Sequence, residues 1–367
     1  MNRVLISGYY GFGNAGDEAM LSAIVEVLRS RNEKIEIVVI SGDPEATASV
    51  YNIKAIRRFD ATAIIKEMRK SDLVISGGGS LLQDITSERS LWYYLSIIQL
   101  AKILRKKIML YGQGIGPING KFARVLTGFV CRQVDCITVR DQGSAKELQS
   151  LGIQSKSVVV TADPVFAIQP TDKDRGRKKL ERNGFGGKKL IVGISVRPWQ
   201  CLTGYKQVLA EVADSIIEKH GSSVVFIPLH HPQDTKVSKE IFALMKNKES
   251  CIVLENMRST NDFLSIIGNM DLLIGVRLHA LVFAAVMNVP IVGISYDPKI
   301  DRFLEGIQAK PVACMRTVTY SVLMEKVDSV IENLERERDI QGECVEQLKE
   351  AAQNNADLAI ELLKNIK

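Results

Sequence analysis

The run Gly275-Val276-Arg277-Leu278-His279-Ala280 lies between two apolar stretches and holds two side chains able to do chemistry. In an extended chain, residues two apart share a face, so Arg277 and His279 are expected to project together while Leu278 turns inward. A helix expected over residues 280–287 would add free amides and the positive end of its dipole to that turn. The chain has only four histidines, and this one sits beside an arginine. A satisfied surface histidine next to a solvated arginine is the competing reading. Arg140, in Thr138-Val139-Arg140-Asp141, and Lys299, in Ser295-Tyr296-Asp297-Pro298-Lys299, also follow short apolar runs, as does Arg197. A local Arg–Asp pair and a solvated lysine are their plainer alternatives. If these cations share a rim, they suit a small, highly charged anion: arginine grips phosphate or carboxylate with two parallel bonds, and lysine adds a point charge. An imidazole with an unperturbed pKa of about 6.5 can supply a proton near neutrality.

A second group of candidates clusters in glycine-rich turns. Gly11-Phe12-Gly13-Asn14-Ala15-Gly16 has the GxGxxG spacing of a dinucleotide loop. The acids that follow, Asp17 and Glu18, would repel a pyrophosphate, although they also suit a helix dipole. A substrate-facing loop, in which Asn14, Asp17 and Glu18 meet sugar hydroxyls, competes with a purely structural turn. Gly77-Gly78-Gly79-Ser80 is expected to turn, with Gly78 and Gly79 letting backbone amides approach an anion. Gly112-Gln113-Gly114-Ile115-Gly116-Pro117 points to the same rim. His230-His231-Pro232-Gln233-Asp234 reads as a loop near the site, because adjacent extended histidines diverge and too few further ligands accompany them for a metal.

These residues need a scaffold of strand ends. Short apolar runs rich in Val, Ile and Leu fall at 4–7, 35–40, 73–76, 108–112, 136–139, 190–195, 224–228, 272–275 and 291–294, separated by longer amphipathic stretches. Such runs mark buried parallel strands with helices on both faces. The expected class is α/β, with two Rossmann-like, doubly wound domains facing a cleft. The expected boundaries are residues 1–170 on the acceptor side, a polar linker at 171–187, a second domain at 188–330, and a helical segment at 331–367 that crosses back. Two weak echoes, 71–82 with 270–281 and 108–117 with 291–298, support two similar Rossmann-like domains, and generic strand-turn-helix chemistry is the competing explanation.

Composition narrows the function. The 367 residues are 46% hydrophobic and 25% charged, which fits a soluble protein of about two domains and excludes a disordered or collagen-like chain. A formal charge of +6 permits an anionic substrate or membrane surface but carries no nucleic-acid signature. Six scattered cysteines without CxxC pairs argue against zinc, redox chemistry and a secreted disulfide framework. The first apolar run is a strand rather than a signal-peptide core, and no window is long enough to span a bilayer, so a cytoplasmic protein is expected. Residues 91–107, aromatic and then basic, could lie on the inner membrane face or form a core helix with a basic end.

Taken together, the stretch from Gly8 to Glu18, the Gly77-Gly78-Gly79 run, Val139-Arg140-Asp141 and Arg277-Leu278-His279 resemble the polysaccharide pyruvyl transferase family, most closely its CsaB-type cell-wall members. The resemblance covers roughly residues 3–330. It implies a GT-B-like fold, phosphoenolpyruvate as donor, and an acceptor N-acetylmannosamine on a lipid-diphosphate-linked precursor of a secondary cell-wall polysaccharide. The product would be a 4,6-pyruvate ketal recognised by S-layer anchoring domains. On this reading His279 is the general acid, Arg140 and Arg277 hold the donor with Lys299 assisting, and Asp17 or Glu18 handles the acceptor hydroxyl. No cofactor or metal is implied. The rival readings are a GT-B nucleotide-sugar glycosyltransferase and a non-catalytic carbohydrate-binding protein.

Overall fold

The computed structural model describes residues 2–365 apart from 86, 186–189, 200–201, 256 and 258. Cys201 and the last two residues of the expected linker lie outside them. The chain forms two compact units: Met1–Phe12, Asp17–Ile168 and Gln347–Lys367 make unit 1, and Gly13–Gly16 with Gln169–Glu346 make unit 2.

Unit 1 is built from β1 (Arg3–Ser7), α1 (Ala15–Arg31), β2 (Glu36–Ser41), α2 (Pro44–Tyr51), β3 (Lys54–Arg57), α3 (Ala61–Lys70) and β4 (Leu73–Leu82). It continues through α4 (Glu88–Ile103), β5 (Lys107–Ile115), α5 (Lys121–Cys131), β6 (Cys136–Val139), α6 (Gln142–Ser150) and β7 (Val158–Val160). Its sheet is parallel, in the order β3-β2-β1-β4-β5-β6-β7. Val4, Leu5 and Ile6 are fully buried, as strands covered on both faces must be. On α4, Leu91, Tyr94, Leu95, Ile97 and Ile98 belong to the same core, while Ile103 at its last residue is exposed.

Unit 2 comprises α7 (Asp174–Arg182), β8 (Ile191–Ser195), α8 (Gly204–His220), β9 (Ser223–Phe226), α9 (Gln233–Leu244), β10 (Cys251–Val253) and α10 (Thr260–Ile267). Then come β11 (Leu272–Gly275), α11 (Leu278–Val286), β12 (Ile291–Ser295), α12 (Pro298–Gly306), β13 (Ala313–Cys314), α13 (Tyr320–Glu332) and the start of α14 (Leu334–Lys364). Its parallel sheet runs β10-β9-β8-β11-β12-β13. The stretch expected as a linker is largely helix α7, because Leu180 is buried and Gly176 donates its amide to Ser265 Oγ at 2.7 Å.

The two sheets share one order. β8 corresponds to β1, β11 to β4 and β12 to β5, so the echoing segments occupy equivalent strands. Each order reverses once, between β1 and β4 and between β8 and β11. Strand ends flanking such a reversal leave room for a ligand in α/β sheets.

The triple glycine departs from expectation. β4 continues through Gly77, Gly78 and Gly79, with Gly77 beside Tyr111 and Gly79 beside Gln113; Gly79 has a positive φ of 82°, and the register slips between it and Leu82. The reason is packing. A Cβ on Gly78 would stand 2.7 Å from Met20 Sδ of α1, and one on Gly77 would overlap the Tyr10 hydroxyl. Gly77 and Gly78 thus admit neighbouring side chains into the strand.

Candidate active-site residues

In unit 2 the end of β11 leads into α11 with Arg277 as the N-cap residue, its backbone extended (φ −82°, ψ 124°). Helix begins at Leu278, so the two-residue alternation of an extended chain does not continue to His279. Arg277 turns to Asp234, giving Nε to Oδ2 at 2.8 Å and Nη2 to Oδ1 at 2.5 Å. Asp234 is fully buried in the first turn of α9 and also accepts the amides of Leu229 and His230 at 3.3 and 3.0 Å. One edge of the guanidinium thus locks the β9–α9 loop to the β11–α11 turn. Its other edge retains the fork geometry that matches an anion.

The His279 ring packs on the backbone of Gly16, where any Cβ would overlap it, and lies 6.4 Å from the Phe283 ring centroid. This is why the third glycine of the GxGxxG run is needed in this chain. The same loop is fastened to the β9 end by the Ala15 amide, which donates to the Leu229 carbonyl at 3.1 Å, and by a bridge between Asn14 and His230. The Asn14 side chain accepts the Gly16 amide at 3.1 Å, so it shapes the loop. Burial, and then the Arg277 charge, hold the His230 pKa below its ordinary value.

Arg197, just beyond β8, lies against the rings of Trp199 (5.1 Å) and Tyr296 (4.7 Å), and its Nη1 donates to the Tyr296 hydroxyl at 2.5 Å. Lys299 occupies the first turn of α12. Its ammonium is 3.5 Å from Asp297 Oδ2 and 5.5 Å from the Tyr296 ring centroid. The structure therefore places Arg197, Arg277, His279 and Lys299 at the carboxyl ends of three neighbouring strands, β8, β11 and β12, around the reversal of strand order.

Unit 1 holds the remaining candidates. Asp17 stands in the first turn of α1, and a Cβ on Gly79 would lie 3.3 Å from its Oδ1. Its charge helps raise the pKa of Tyr9, after burial as the larger cause. Glu18 points back into its own loop, accepting the Gly11 amide at 2.7 Å and the Tyr51 hydroxyl at 3.4 Å. Burial raises its pKa in spite of those bonds. Arg140 is held within unit 1, its side chain only 6% exposed, donating to Asp163 Oδ2 and Ser80 Oγ, each at 3.1 Å, with Asp141 at 3.6 Å. It lies over Gly114, where a Cβ would come within 2.8 Å of Nη2.

Sequence reasoning did not single out Asp234, Asp163 or the Trp199–Tyr296 pair. An acid in the first turn of a helix looks like an ordinary dipole partner, and nothing local marks Asp163, 23 residues from Arg140, as its counter-ion. Among the described residues, no three His, Cys, Asp or Glu side chains are grouped to hold a metal ion.

Comparison with known proteins places this geometry. The family model for polysaccharide pyruvyl transferase matches residues 14–298. The amylovoran biosynthesis protein AmsJ of Erwinia amylovora is 21% identical over 94% of this chain and 96% of its own. Among solved structures, S. aureus MnaA with UDP aligns with a TM-score of 0.71 at 14% identity, over 99% of this chain and 96% of that one. Neisseria meningitidis UDP-GlcNAc 2-epimerase with UDP-GlcNAc gives 0.67 at 15%, over 99% and 100%. Anabaena HepE with UDP and glucose gives 0.67 at 11%, over the full length of both chains. The fold is accordingly GT-B-like, as expected. The family match spans well over half the chain and includes Asn14, Arg140, Arg197, Arg277 and His279, and the protein belongs to the polysaccharide pyruvyl transferase family.

Proposed function

We propose that the protein moves the pyruvyl group of phosphoenolpyruvate onto two hydroxyls of one sugar in a polysaccharide precursor, giving a 4,6-ketal and free phosphate. The observation that carries this reading is the Arg277–Leu278–His279 turn: a clamped arginine and an imidazole in the first turn of a helix, at the reversal of strand order, within the matched family. A trianion suits Arg277, Lys299 and Arg197, whose charges converge on adjacent strand ends. Arg140, already paired with Asp163, acts by positioning Ser80 and the β5 end.

The chemistry balances without a cofactor. His279 gives a proton to the methylene carbon of the donor, and a sugar hydroxyl oxygen bonds to the adjacent carbon. The C–O bond to phosphate then breaks, and the second hydroxyl closes the ring with loss of its proton. Asp17, half-buried above Gly79, receives an acceptor proton, while Glu18 keeps the loop in shape. The acceptor is an N-acetylmannosamine unit on a lipid diphosphate, and the reaction runs on the cytoplasmic side. AmsJ, named for amylovoran biosynthesis, supports a polysaccharide acceptor in general.

The test supplies phosphoenolpyruvate with lipid-linked saccharides and reads phosphate release and a mass gain of one pyruvate less one water. His279→Ala should lower kcat about a hundredfold to ten-thousandfold while calorimetry still records donor binding. Arg277→Ala should weaken donor binding. Wild-type turnover in both variants would sink the assignment. UDP release from a UDP-sugar, with phosphoenolpyruvate inert, would favour the nucleotide-sugar reading that the UDP-bound structural neighbours suggest.

A further inference from the structure

Helix α5 is inside out. Its buried positions hold Ala123, Thr127, Gly128, Val130 and Cys131, while Phe122, Val125 and Phe129 are 71%, 69% and 53% exposed. These three fall at i, i+3 and i+7, one stripe along the helix. A surface helix ordinarily turns its large apolar residues inward and its polar ones to water. Trp92 of α4 extends the stripe at one end, its ring 5.7 Å from that of Phe122. Ile103, 67% exposed at the last residue of α4, lies toward the other end. There Lys102 Nζ donates to the Gln133 carbonyl at 3.3 Å, and Gln133 Nε2 donates to the Phe129 carbonyl at 3.3 Å.

The charge around this stripe is just as one-sided. Residues 87–133 hold eight basic side chains and one acid, Glu88, a balance of +7 when the whole chain carries only +6. Arg124 and Lys107 pair with Glu147 and Asp135 of neighbouring segments. Lys102 and Arg132 donate to backbone carbonyls, and neither has an ion-pair partner among the described residues. Lys121 and Arg132 are exposed at the two ends of α5.

We infer that the α4–α5 face docks unit 1 on an anionic lipid surface, with Phe122, Val125 and Phe129 entering the headgroup layer and the flanking lysines and arginines meeting lipid phosphates. Exposed aromatic and aliphatic residues gain by leaving water for the acyl boundary, and basic side chains beside them add attraction to anionic headgroups. A second copy of the chain fits less well, since a two-fold pairing would bring like charges together. Nucleic acid would meet the charge but offers no apolar layer for the stripe. The inference goes beyond the reaction and does not depend on it.

The test is co-sedimentation of the intact protein, without substrates, with vesicles of phosphatidylcholine alone or mixed with phosphatidylglycerol. Binding should require phosphatidylglycerol and weaken with added salt. F122S combined with F129S should weaken it about tenfold or more, as should K121E combined with R132E. Turnover on a water-soluble acceptor should stay unchanged in both pairs, since neither touches the proposed active-site residues. No binding to the mixed vesicles, or binding unaffected by the Phe variants, would overturn the inference. So would a dimer in solution that F122S/F129S converts to monomer. Vesicle binding with no pyruvyl transfer would sink only the proposed reaction.

Discussion

At Arg277 the fold uses one residue twice. Its charge is stabilised by a carboxylate with no exposure to water, and that carboxylate also receives two backbone amides. Such a pair is worth little against apolar packing but is costly to break from one side, because a charge is left without its partner. Asp234→Ala should therefore destabilise unit 2 by about 3 kcal/mol, read as a fall in the denaturation midpoint. R277K keeps the charge and loses the fork, so it should bind the donor about tenfold more weakly with the fold retained. His230 gives a pH signature. Its folded pKa lies below the ordinary value near 6.5, with burial as the main cause, so the unfolded chain takes up the proton first. Its share of stability is intact above that value and is lost as pH falls through about 6.5. Melting temperature followed from pH 7.5 down to 5.5 should drop less steeply in His230→Gln than in the wild type; equal slopes would remove His230 as the cause.

Among the elements, α14 shows how a polar helix can matter to a distant sheet. Asn355 is fully buried, and its Oδ1 accepts the hydroxyls of Thr138 at 2.5 Å and Thr161 at 2.9 Å, while Nδ2 reaches the Ala162 carbonyl at 3.4 Å. Thr138 in turn receives the Gly112 amide at 2.7 Å. A residue 217 positions along the chain therefore completes the polar ends of β5 and β6. Asn355→Ala should cost about 1 kcal/mol, because the Thr138 and Thr161 hydroxyls lose one acceptor but keep the Leu110 and Val139 carbonyls at 3.0 and 3.2 Å. Urea titration checks this, and an unchanged midpoint would show that water replaces the amide. The edge strands make the opposite point. β3, β7, β10 and β13 end their sheets, have at most four residues, and were not foreseen. An edge strand is covered on fewer sides than a central one, so it needs no unbroken apolar run to announce it.

Across the whole molecule, two units with one strand order carry their cations after different strands. Arg140 follows β6 of unit 1; Arg197, Arg277 and Lys299 follow β8, β11 and β12 of unit 2. Their environments differ too: Arg140 is held by Asp163 and Ser80, Arg277 is paired with Asp234, and Arg197 and Lys299 lie beside the Tyr296 ring. The net charge is divided in the same uneven way. Residues 87–133, where the proposed membrane face lies, carry +7 against +6 for the whole chain, so a modest total conceals a strong local field.

The central strands, the repeated strand order and the family were legible in the sequence, because buried parallel strands need continuous apolar runs. Tertiary structure alone decided which of the candidate site residues are already engaged. The alternation that put Arg277 and His279 on one face ended where helix began, a boundary set by capping geometry rather than by residue type. Gly77 and Gly78 stay within the strand, with Tyr10 and Met20 from elsewhere in the chain packed where a Cβ would stand. The partners Asp234, Asp163 and Asn355 lie 43, 23 and 217 positions from the residues they hold. Local sequence carries no record of such pairings; they come into being only when packing brings the buried polar groups together and desolvation requires each to find a partner.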